Sequence, residues 1–425
     1  MDRKSGSVER NYVRSGKFWI DGVRLPDILA KFPTPCYIYS ASVIKENYQR
    51  IRDHFPAYEI FSSFKANPNL AISKTLLGLG ASADVSSLGE LKAALKVGYK
   101  PENILFVGPG KSDEEIRYAV TTGVFAIVAE SPYEIELVDA IAGKIKKQAR
   151  VMLRINTLEK PTAPEIMVGG PSKFGIDEEV AIDSVRSIRL KHSKIIGVHV
   201  YSASQVLDSQ FHAMHINYVG DLALHLADKI GFELKCIDFG GGFGVPYKDD
   251  EPELDLGPIS TAAKAVGEKV HRMSPECRLA FEIGRYIVAE AGIFLTKVLR
   301  IKNSRGKRFV ITDSGLNHFT RPVFQRVNHP ARILNKIADT PVGTFDICGP
   351  ICTPLDVTAQ CVPLPEPEIG DVIGLFNAGA YGYTMSMIDF MSLGWPAEVM
   401  IDDGRMFVIR KPRVAEEFFE DQPLK

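Results

Sequence analysis

A lysine at the end of a short apolar run is the first residue of this sequence whose position suggests chemistry. Lys65 lies in FSSFKANPN, with small residues on both sides and an Asn-Pro turn behind it. Lysine is seldom buried without a task, because its charged form is costly to desolvate. As an amine nucleophile it can form a Schiff base with a carbonyl compound. A solvated lysine at a strand end is the simpler alternative, and Lys65 alone does not decide between the two.

Glycines and polar residues follow other short β-rich runs of the chain. Gly240, Gly241 and Gly242 follow CIDF, and Glu282 and Arg285 end the run RLAFEIGR. Clustered glycines after a strand can turn their N–H groups toward a phosphate, although glycine pairs usually mark only a tight turn. The other candidates at strand ends are Ser86, His199, Tyr201 and Ser204.

A strand-end lysine, a phosphate site and a carboxylate together suit pyridoxal 5′-phosphate. In this interpretation Lys65 forms the Schiff base, the glycine amides hold the phosphate and Glu282 keeps the pyridine nitrogen protonated. Two nucleotide-binding alternatives are weaker. Pro246 follows the glycines where a Rossmann helix should continue. GPGKS at 108–112 has Leu105 where a P-loop requires glycine.

Eight β-rich runs that alternate with helical patterns are expected to position these residues. Between about 59 and 285 the runs are EIFSSFKAN, ASADVSS, NILFVGPG, FAIVAE, ARVMLRIN, IIGVHVYSAS, CIDFGGG and RLAFEIGR. Intervening stretches such as LGELKAALKVG repeat apolar residues at helical spacing, and Ser112 with Glu115 predicts a capping box. The alternation predicts an α/β protein with a parallel (β/α)8 barrel, and an open doubly wound sheet is the alternative. In such a barrel functional residues lie at the C-terminal strand ends.

The sequence after residue 290 predicts a second, β-rich domain. IFLTKVLRIKNSRGKRFVITDSG and AEVMIDDGRMFVIRK predict hairpins that turn at NSRG and DDG. FWIDGVRL and TPCYIYS, near the N-terminus, are also β-rich. We therefore predict an N-terminal segment over 1–40 that packs with the β domain, a barrel over 41–290 and a C-terminal β-rich domain over 291–425.

Composition and charge exclude several classes of partner. The 425 residues are 45% apolar and carry a net charge of −1, which gives no electrostatic reason to expect a nucleic-acid or membrane partner. No apolar run is long enough to span a bilayer, and the polar N-terminus lacks the core of a signal peptide. Six dispersed cysteines indicate a reducing cytoplasm. Cys348, Cys352 and Cys361 lack the further ligands of a zinc site, so no metal is expected.

Seven motifs in order resemble the barrel-type (fold type III) pyridoxal-phosphate-dependent decarboxylases, a family that includes diaminopimelate and ornithine decarboxylases. The motifs are FKAN, ADVSSLGEL, KFGI, GGG, EIGR, CGPICTPLD and AGAY. The resemblance covers nearly the whole chain and implies an alanine-racemase-like barrel, pyridoxal 5′-phosphate as the cofactor and a head-to-tail homodimer with shared active sites. Within the family, HVY, GGGFGVPY and GPxCTP are most similar to the carrier-protein-linked glutamate decarboxylase of aminoglycoside antibiotic biosynthesis.

The resemblance implies catalytic and cofactor roles for individual residues. It implies that Lys65 is the cofactor lysine, that Glu282 contacts the pyridine nitrogen and that the glycine run binds the phosphate. Tyr381 of AGAY is implied as a contact of phosphate and substrate. Cys352 of CGPICTPLD takes the position of the catalytic cysteine, which in this family reaches the partner subunit's active site. After the α-carboxylate leaves as CO2, Cys352 is the expected proton donor to Cα.

The ring that stacks on the cofactor is left open by the sequence. The family usually places a histidine of HxGS there. Aligning Ser204 with that serine puts Tyr201 in the stacking position and His199 two residues earlier on the same face. An aromatic ring can stack there, but tyrosine cannot supply an imidazole proton. A buried strand histidine without a catalytic role is the alternative for His199.

The expected substrate follows from the positions that contact its distal end. In diaminopimelate decarboxylases two arginines, a glutamate and a tyrosine hold a distal ammonium and carboxylate. Arg285 and Arg321 keep the arginine positions, whereas Thr353 replaces the glutamate and Gln325 the tyrosine. The arginines can still bind an anion or a carbonyl, but a distal ammonium would lack its partner. We expect an α-decarboxylase of specialised metabolism that acts on a carrier-linked or distally modified amino acid.

Three alternatives remain. One is a true diaminopimelate decarboxylase of lysine biosynthesis, which would bind the ammonium through water or another side chain. Another is a pyridoxal-phosphate-dependent amino-acid racemase, which would need a second catalytic base in place of the Cys352 motif. The third is a catalytically silent regulator, which would have no need of Lys65, Glu282 and Cys352 together.

Overall fold

The computed structural model describes residues 7–159, 163 and 165–424, which form two compact units. The α/β unit contains the described residues of 47–245 and 252–286. The β-rich unit contains residues 7–46, 246–251 and 287–424. The short stretch 246–251, directly after the glycine run, therefore belongs to the β-rich unit although its sequence neighbours lie in the α/β unit.

Eight parallel strands close into a barrel in the α/β unit. In chain order they are β1 (Glu59–Ser63), β2 (Ser82–Val85), β3 (Ile104–Phe106), β4 (Ala126–Ala129), β5 (Ala149–Asn156), β6 (Ser193–His199), β7 (Cys236–Asp238) and β8 (Arg278–Ile283). Each strand pairs in parallel with the next, and β8 pairs with β1 through Glu282 opposite Phe61. The closed circle confirms the predicted barrel and rules out the open sheet.

Helices follow the strands through the described part of the barrel. They are α1 (Leu70–Gly78), α2 (Leu88–Val97), α3 (Asp113–Thr122), α4 (Pro132–Lys144), α5 (Glu178–Arg186), α6 (Ser209–Ile230), α7 (Leu256–Met273) and α8 (Arg285–Val288). A further helix, Ala41–His54, precedes β1. The short elements are the 3₁₀ turns Phe64–Ala66 and Pro101–Asn103 and the strands Glu165–Ile166, Ile176–Asp177 and Ala203–Ser204. The chain after the glycines becomes helical only at Leu256, which excludes the Rossmann interpretation.

Helix starts and strand burial both follow from the sequence. At the start of α3 the Glu115 N–H donates to Ser112 Oγ at 3.3 Å, and the Ser112 N–H donates to Glu115 Oε2 at 2.9 Å. This confirms the predicted capping box. Strands β3 and β4 are buried at every position, which explains their continuous apolar runs ILF and AIVA. Residues such as Phe61, Leu105 and Met152 fill the core.

A mixed sheet forms the centre of the β-rich unit. Its strands are Cys36–Ser40, Gly292–Ser304, Lys307–Thr312, Ala331–Ile333, Gly343–Cys348, Val357–Leu364, Val372–Leu375, Ala397–Asp402 and Arg405–Arg410. A separate three-stranded sheet is formed by Val13–Arg14, Lys17–Ile20 and Val23–Arg24. The helices and 3₁₀ turns are Ser7–Tyr12, Leu25–Leu29, Arg321–Gln325, Leu334–Lys336, Tyr383–Met385, Phe390–Ser392 and Ala415–Phe419.

Both predicted hairpins are present in the β-rich unit. Gly292–Ser304 pairs antiparallel with Lys307–Thr312, and Ala397–Asp402 pairs antiparallel with Arg405–Arg410. The second hairpin turns at Asp403 and Gly404 with φ of 48° and 73°. Positive φ at both turn residues is the type I′ geometry that DDG predicts.

The N-terminal strand lies inside this sheet rather than at its edge. Cys36–Ser40 pairs antiparallel with Gly292–Ser304 on one side and parallel with Ala397–Asp402 on the other. All five of its residues are buried. Among the described residues, no helix combines the length and the apolar character needed to cross a bilayer.

Candidate active site

Lys65 lies at the C-terminal end of β1, in the 3₁₀ turn Phe64–Ala66. Its Nζ is 2.8 Å from Asp84 Oδ2 and 4.0 Å from Glu282 Oε2. Ser63 Oγ donates to the same Asp84 oxygen at 2.6 Å. Asp84 is fully buried on β2, whereas the Lys65 side chain keeps 34% of its surface exposed. The amine is thus held by a buried carboxylate at the end of a partly exposed side chain.

Glu282 and His199 form a buried pair at the ends of β8 and β6. His199 Nε2 lies 3.2 Å from Glu282 Oε1. Burial alone would raise the pKa of the Glu282 carboxyl, but the nearby charges of His199 and Lys65 outweigh burial and lower that pKa to about 2. An ionised carboxylate in this position can hold a protonated ring nitrogen.

Two further carboxyl groups make the site rich in acid. Asp238 ends β7, and its Oδ1 accepts a hydrogen bond of 2.8 Å from the Gly240 N–H. Burial, followed by the charge of Glu282, raises the pKa of both Asp84 and Asp238. Asp84 Oδ1, Asp238 Oδ2 and His199 Nδ1 have no hydrogen-bond partner within the described ranges. Ligand atoms of His199, Asp238 and Glu282 lie within 4.8 Å of one another. Buried acceptors without partners favour the binding of a cationic group.

The glycine run passes so close to neighbouring backbone that side chains are excluded. A Cβ at Gly240, Gly241 or Gly242 would overlap the carbonyl oxygens of Val200, Glu282 and Ala203, respectively. Gly240 and Gly242 also have φ of +66° and +84°. In the part of the chain that the structure describes, the Gly241 and Gly242 N–H groups have no acceptor. These two donors can therefore bind phosphate oxygens.

The two candidate stacking rings occupy different places. Tyr201 follows β6, and its ring centroid lies 5.5 Å from Lys65 Nζ. A Cβ at Gly240 would lie 3.1 Å from Tyr201 Cδ2, so this ring also borders the glycine run. His199 is buried and engaged with Glu282. The ring that lies beside both Lys65 and the glycines is therefore that of Tyr201.

Arg285 lies next to the short strand that contains Ser204. Its Nη2 is 3.4 Å from Ser204 Oγ and 3.8 Å from Glu165 Oε2. The guanidinium is buried, with 7% of the side chain exposed. Glu165 belongs to the strand Glu165–Ile166, which pairs antiparallel with Ala203–Ser204. Sequence reasoning did not single out Glu165.

Arg321 is a candidate substrate residue of the β-rich unit that is held by several contacts. It is buried at the start of the helix Arg321–Gln325, and its Nη1 donates to His329 Nε2 at 2.6 Å. His329 Nδ1 lies 2.8 Å from the Phe376 carbonyl oxygen, so it carries the proton. The guanidinium carbon also lies 4.2 Å from the ring centroid of Tyr247. Gln325 ends the same helix and is half-buried.

Cys352 and Thr353 lie in a loop of the β-rich unit. Cys352 is exposed, with Sγ 3.5 Å from Met391 Sδ. Thr353 Oγ1 accepts from the Leu355 N–H at 3.3 Å. Tyr381, in the same unit, has a φ of +56° and is half-buried. Such a φ is uncommon for a bulky residue and is often found at functional sites.

The structure assembles one part of the predicted site within the α/β unit: Lys65, His199, Tyr201, Ser204, the three glycines, Glu282 and Arg285. The other predicted residues, Arg321, Gln325, Cys352, Thr353 and Tyr381, belong to the β-rich unit. Ser86 lies just after β2, and its N–H donates to Glu90 Oε2 at 2.7 Å. Lys111 of the P-loop-like stretch is buried, with its ammonium bonded to the oxygens of Gly108, Val128 and Glu134.

Sequence reasoning missed the residues that support the site. Asp84 lies in the quoted motif ADVSSLGEL and Asp238 lies two residues before Gly240 in CIDFGGG, so both had a signal. His215 had none. Its Nδ1 accepts from Ser202 Oγ at 2.9 Å and its Nε2 donates to the Phe239 carbonyl at 2.8 Å. Burial lowers the pKa of His215 to about 4, which keeps the ring neutral for this pairing.

Residues 41–289 match the sequence profile of the pyridoxal binding domain of pyridoxal-dependent decarboxylases. The chain belongs to this family. This decarboxylase is 34% identical over 416 residues to the L-glutamyl-[BtrI acyl-carrier protein] decarboxylase of Niallia circulans, across 95% of this chain and 97% of that protein. It is 35% identical over 402 residues to the diaminopimelate decarboxylase of Aquifex aeolicus, across 94% of each chain.

A solved structure gives the same result. The diaminopimelate decarboxylase of Helicobacter pylori, complexed with L-lysine, has a TM-score of 0.85 to this decarboxylase, with 31% identity across 93% of this chain and 98% of that chain. The chain is a pyridoxal-phosphate-dependent amino-acid decarboxylase of the diaminopimelate decarboxylase type. Its residues fit the cofactor, since an amine, two open glycine amides and a buried ionised carboxylate occur in one unit.

Proposed function

We propose that this decarboxylase removes the α-carboxylate of a glutamate-like amino acid whose distal carboxyl is carrier-linked or otherwise acylated. Such a substrate belongs to specialised metabolism. The similarity to the L-glutamyl-[BtrI acyl-carrier protein] decarboxylase, which spans nearly the whole of both chains, supports this choice. The structural support comes from the loop that contains Cys352 and Thr353.

The observation that carries the proposal is the lack of an available carboxylate in this loop. Thr353 stands where a diaminopimelate decarboxylase is expected to have glutamate. Asp356, the acid of the stretch 349–358, accepts from the N–H groups of Leu316 at 2.6 Å and Ile351 at 2.8 Å. Because Asp356 is buried and committed to backbone donors, it is not available to a distal ammonium.

The residues of the α/β unit would bind the cofactor and prepare it. Bound pyridoxal phosphate supplies an electron-accepting ring for the electron pair that remains when CO2 leaves. Lys65 provides the amine, the Gly241 and Gly242 N–H groups hold the phosphate, and Glu282 keeps a proton on the ring nitrogen. We assign the stacking position to Tyr201, which borders Lys65 and the glycines. We assign His199 to the orientation of Glu282.

The β-rich unit would contribute the remaining groups. Arg321, held by His329 and Tyr247, binds an anionic or carbonyl group of the substrate. Tyr381 contacts phosphate and substrate, and Gln325 and Thr353 lie at the distal end. The Cys352 thiol returns a proton to Cα in the active site of the partner subunit.

We propose a head-to-tail homodimer because the segments around Cys352 expose apolar side chains. Leu355, Met387 and Met391 keep 67%, 51% and 42% of their surface exposed. Exposed apolar side chains that cluster around a functional residue favour a protein interface, and the expected partner is a second copy of this chain. The six cysteines are free thiols, which supports a cytoplasmic location.

The test compares CO2 release from free and carrier-linked amino acids by the pyridoxal-phosphate-loaded protein. We expect the highest kcat/KM for glutamate linked to a carrier protein, and low values for meso-diaminopimelate. Turnover of free meso-diaminopimelate above roughly 10⁴ M⁻¹s⁻¹, a usual value for an enzyme with its own substrate, would contradict the proposal.

A true diaminopimelate decarboxylase is the second candidate. It is favoured by the similarity to several diaminopimelate decarboxylases at 31% to 35% identity. The same assay decides between the two, because only the second candidate turns over free meso-diaminopimelate efficiently. A racemase would change the chirality of an amino acid without releasing CO2.

A further inference from the structure

We infer that Glu165 cancels the charge of Arg285 and thereby selects substrates whose distal group is a neutral carbonyl over those with a free distal carboxylate. The inference rests on the proposed function and on the expectation from the sequence that Arg285, with Arg321, contacts the distal end of the substrate. It assigns a specificity-determining role to a residue outside the motifs of the sequence.

The backbone of Glu165 is fixed next to that of Ser204. Glu165 is registered opposite Ser204 and Ile166 opposite Ala203. The Met167 N–H continues this ladder by donating to the Ser202 carbonyl at 2.8 Å. The segment therefore lies along the chain that follows β6, which also contains Tyr201. The side chain of Glu165 reaches Arg285, with Glu165 Oε2 3.8 Å from Arg285 Nη2.

The burial of Arg285 gives this ion pair its effect. Arg285 has 7% of its side chain exposed and Glu165 has 29%, so water screens the pair only in part. The same Nη2 lies 3.4 Å from the hydroxyl of Ser204, which is uncharged. The guanidinium and the Glu165 carboxylate together carry no net charge.

A neutral ion pair distinguishes between distal groups by charge. A distal carboxylate would bring a second anion next to Glu165, and like charges at close range in a partly desolvated site repel strongly. A thioester, ester or amide carbonyl accepts hydrogen bonds from the guanidinium without adding charge.

The experiment removes the charge of Glu165 and keeps its shape. For the wild-type enzyme and for Glu165→Gln, kcat/KM is measured with glutamate and with its γ-methyl ester, which differ in the distal charge and in one methyl group. We expect Glu165→Gln to raise the ratio of kcat/KM for glutamate to that for the ester by about tenfold or more, chiefly through a lower KM for glutamate. Glu179→Gln, a change of an exposed glutamate on α5, is the matched control and should leave the ratio unchanged.

A binding measurement keeps the test independent of turnover. Calorimetry on the pyridoxal-phosphate-loaded protein gives dissociation constants for 4-aminobutyrate and 4-aminobutyramide, and Glu165→Gln should tighten the binding of the first relative to the second. Equal effects on both ligands would show that Glu165 is merely structural and would overturn the inference.

A selective loss of meso-diaminopimelate turnover in Glu165→Gln would also overturn it, because Glu165 would then bind the distal ammonium. If the wild-type enzyme releases no CO2 from any substrate, the proposed function fails, whereas the binding ratio still tests the role of Glu165.

Discussion

One lysine and three acidic side chains lie at the C-terminal ends of four barrel strands. Lys65 contacts Asp84 and Glu282, and Asp238 adds a third buried acid next to the glycine run. Burial, followed by the charge of Glu282, raises the pKa of Asp84 and Asp238, and one ammonium does not balance three carboxyl groups, so the cluster has a shortage of positive charge. A ring with a protonated nitrogen relieves this shortage, and we therefore expect the cofactor to stabilise the fold as well as the reaction.

Lys65→Ala tests the covalent link to the cofactor. The wild-type protein reconstituted with pyridoxal phosphate should be yellow, because the lysine–cofactor linkage absorbs visible light. Lys65→Ala should lose this absorbance and all CO2 release, whereas Lys74→Ala, a change of a lysine on α1, should retain both. A wild-type protein that stays colourless with excess cofactor would contradict the assignment.

Asp238→Asn tests how the buried carboxyl group of Asp238 affects the free energy of unfolding as the pH changes. Burial in the folded state raises the pKa of Asp238 well above its ordinary value. The folded protein therefore holds this proton more tightly, and the wild type loses stability as the pH rises from about the unfolded value through the folded pKa. Asparagine keeps Oδ1 for the Gly240 N–H and has no such loss, so the advantage of Asp238→Asn should grow with pH.

Urea unfolding of the cofactor-free protein between pH 4 and pH 8 gives the comparison of free energies. Asp238→Ala is the control, since it also removes the acceptor of the Gly240 N–H and should cost about 1–3 kcal/mol. An advantage of Asp238→Asn that stays constant with pH would show that the carboxyl group does not titrate in this way.

At the scale of elements, the strands of the barrel could be predicted because both of their faces are buried. Runs such as ILF and AIVA are apolar at each position, and each predicted run overlaps one of the eight strands, although β6 begins two residues before its run. The hairpin at DDG and the capping box at Ser112 were predictable for another reason. Both depend on the chemistry of a few neighbouring residues. Lys65 and Glu282 were predictable because parallel strands bring their C-terminal ends to one side of a barrel.

The contacts that could not be predicted depend on tertiary geometry. Glu165 reaches Arg285 through the pairing of two short strands. His329 reaches Arg321 across the end of a helix, with no motif around either residue. Which of His199 and Tyr201 lies beside Lys65 was open because strand periodicity puts both on one face. The pairing of His199 with Glu282 and the position of the Tyr201 ring beside Lys65 separate them.

Ser112→Ala tests the contribution of a single element to stability. The hydroxyl of Ser112 accepts the Glu115 N–H at the start of α3, and its loss leaves that donor to water. We expect the free energy of unfolding to fall by about 1 kcal/mol, as for other N-cap substitutions. Ser184→Ala on α5 does not remove a cap and should have a much smaller effect. Equal changes in the two variants would contradict a specific role of the capping box.

At the scale of the whole molecule, Cys352 provides the test of the proposed homodimer. Mixed Lys65→Ala and Cys352→Ala subunits should regain activity, although each variant alone is inactive. At equal mixing and random assembly half of the dimers are hybrids, and one of the two sites in each hybrid keeps both residues. About a quarter of the wild-type activity should return. No recovery after proven subunit exchange would contradict shared sites.

During synthesis on the ribosome, the strand Cys36–Ser40 emerges long before either of the strands that flank it. Its neighbours Gly292–Ser304 and Ala397–Asp402 are made only after the whole barrel. Until then, five residues that are buried in the folded protein have two open backbone edges. The nascent chain must therefore protect CYIYS from aggregation for most of its translation, and chains that stop before Gly292 should depend on chaperones to remain dispersed.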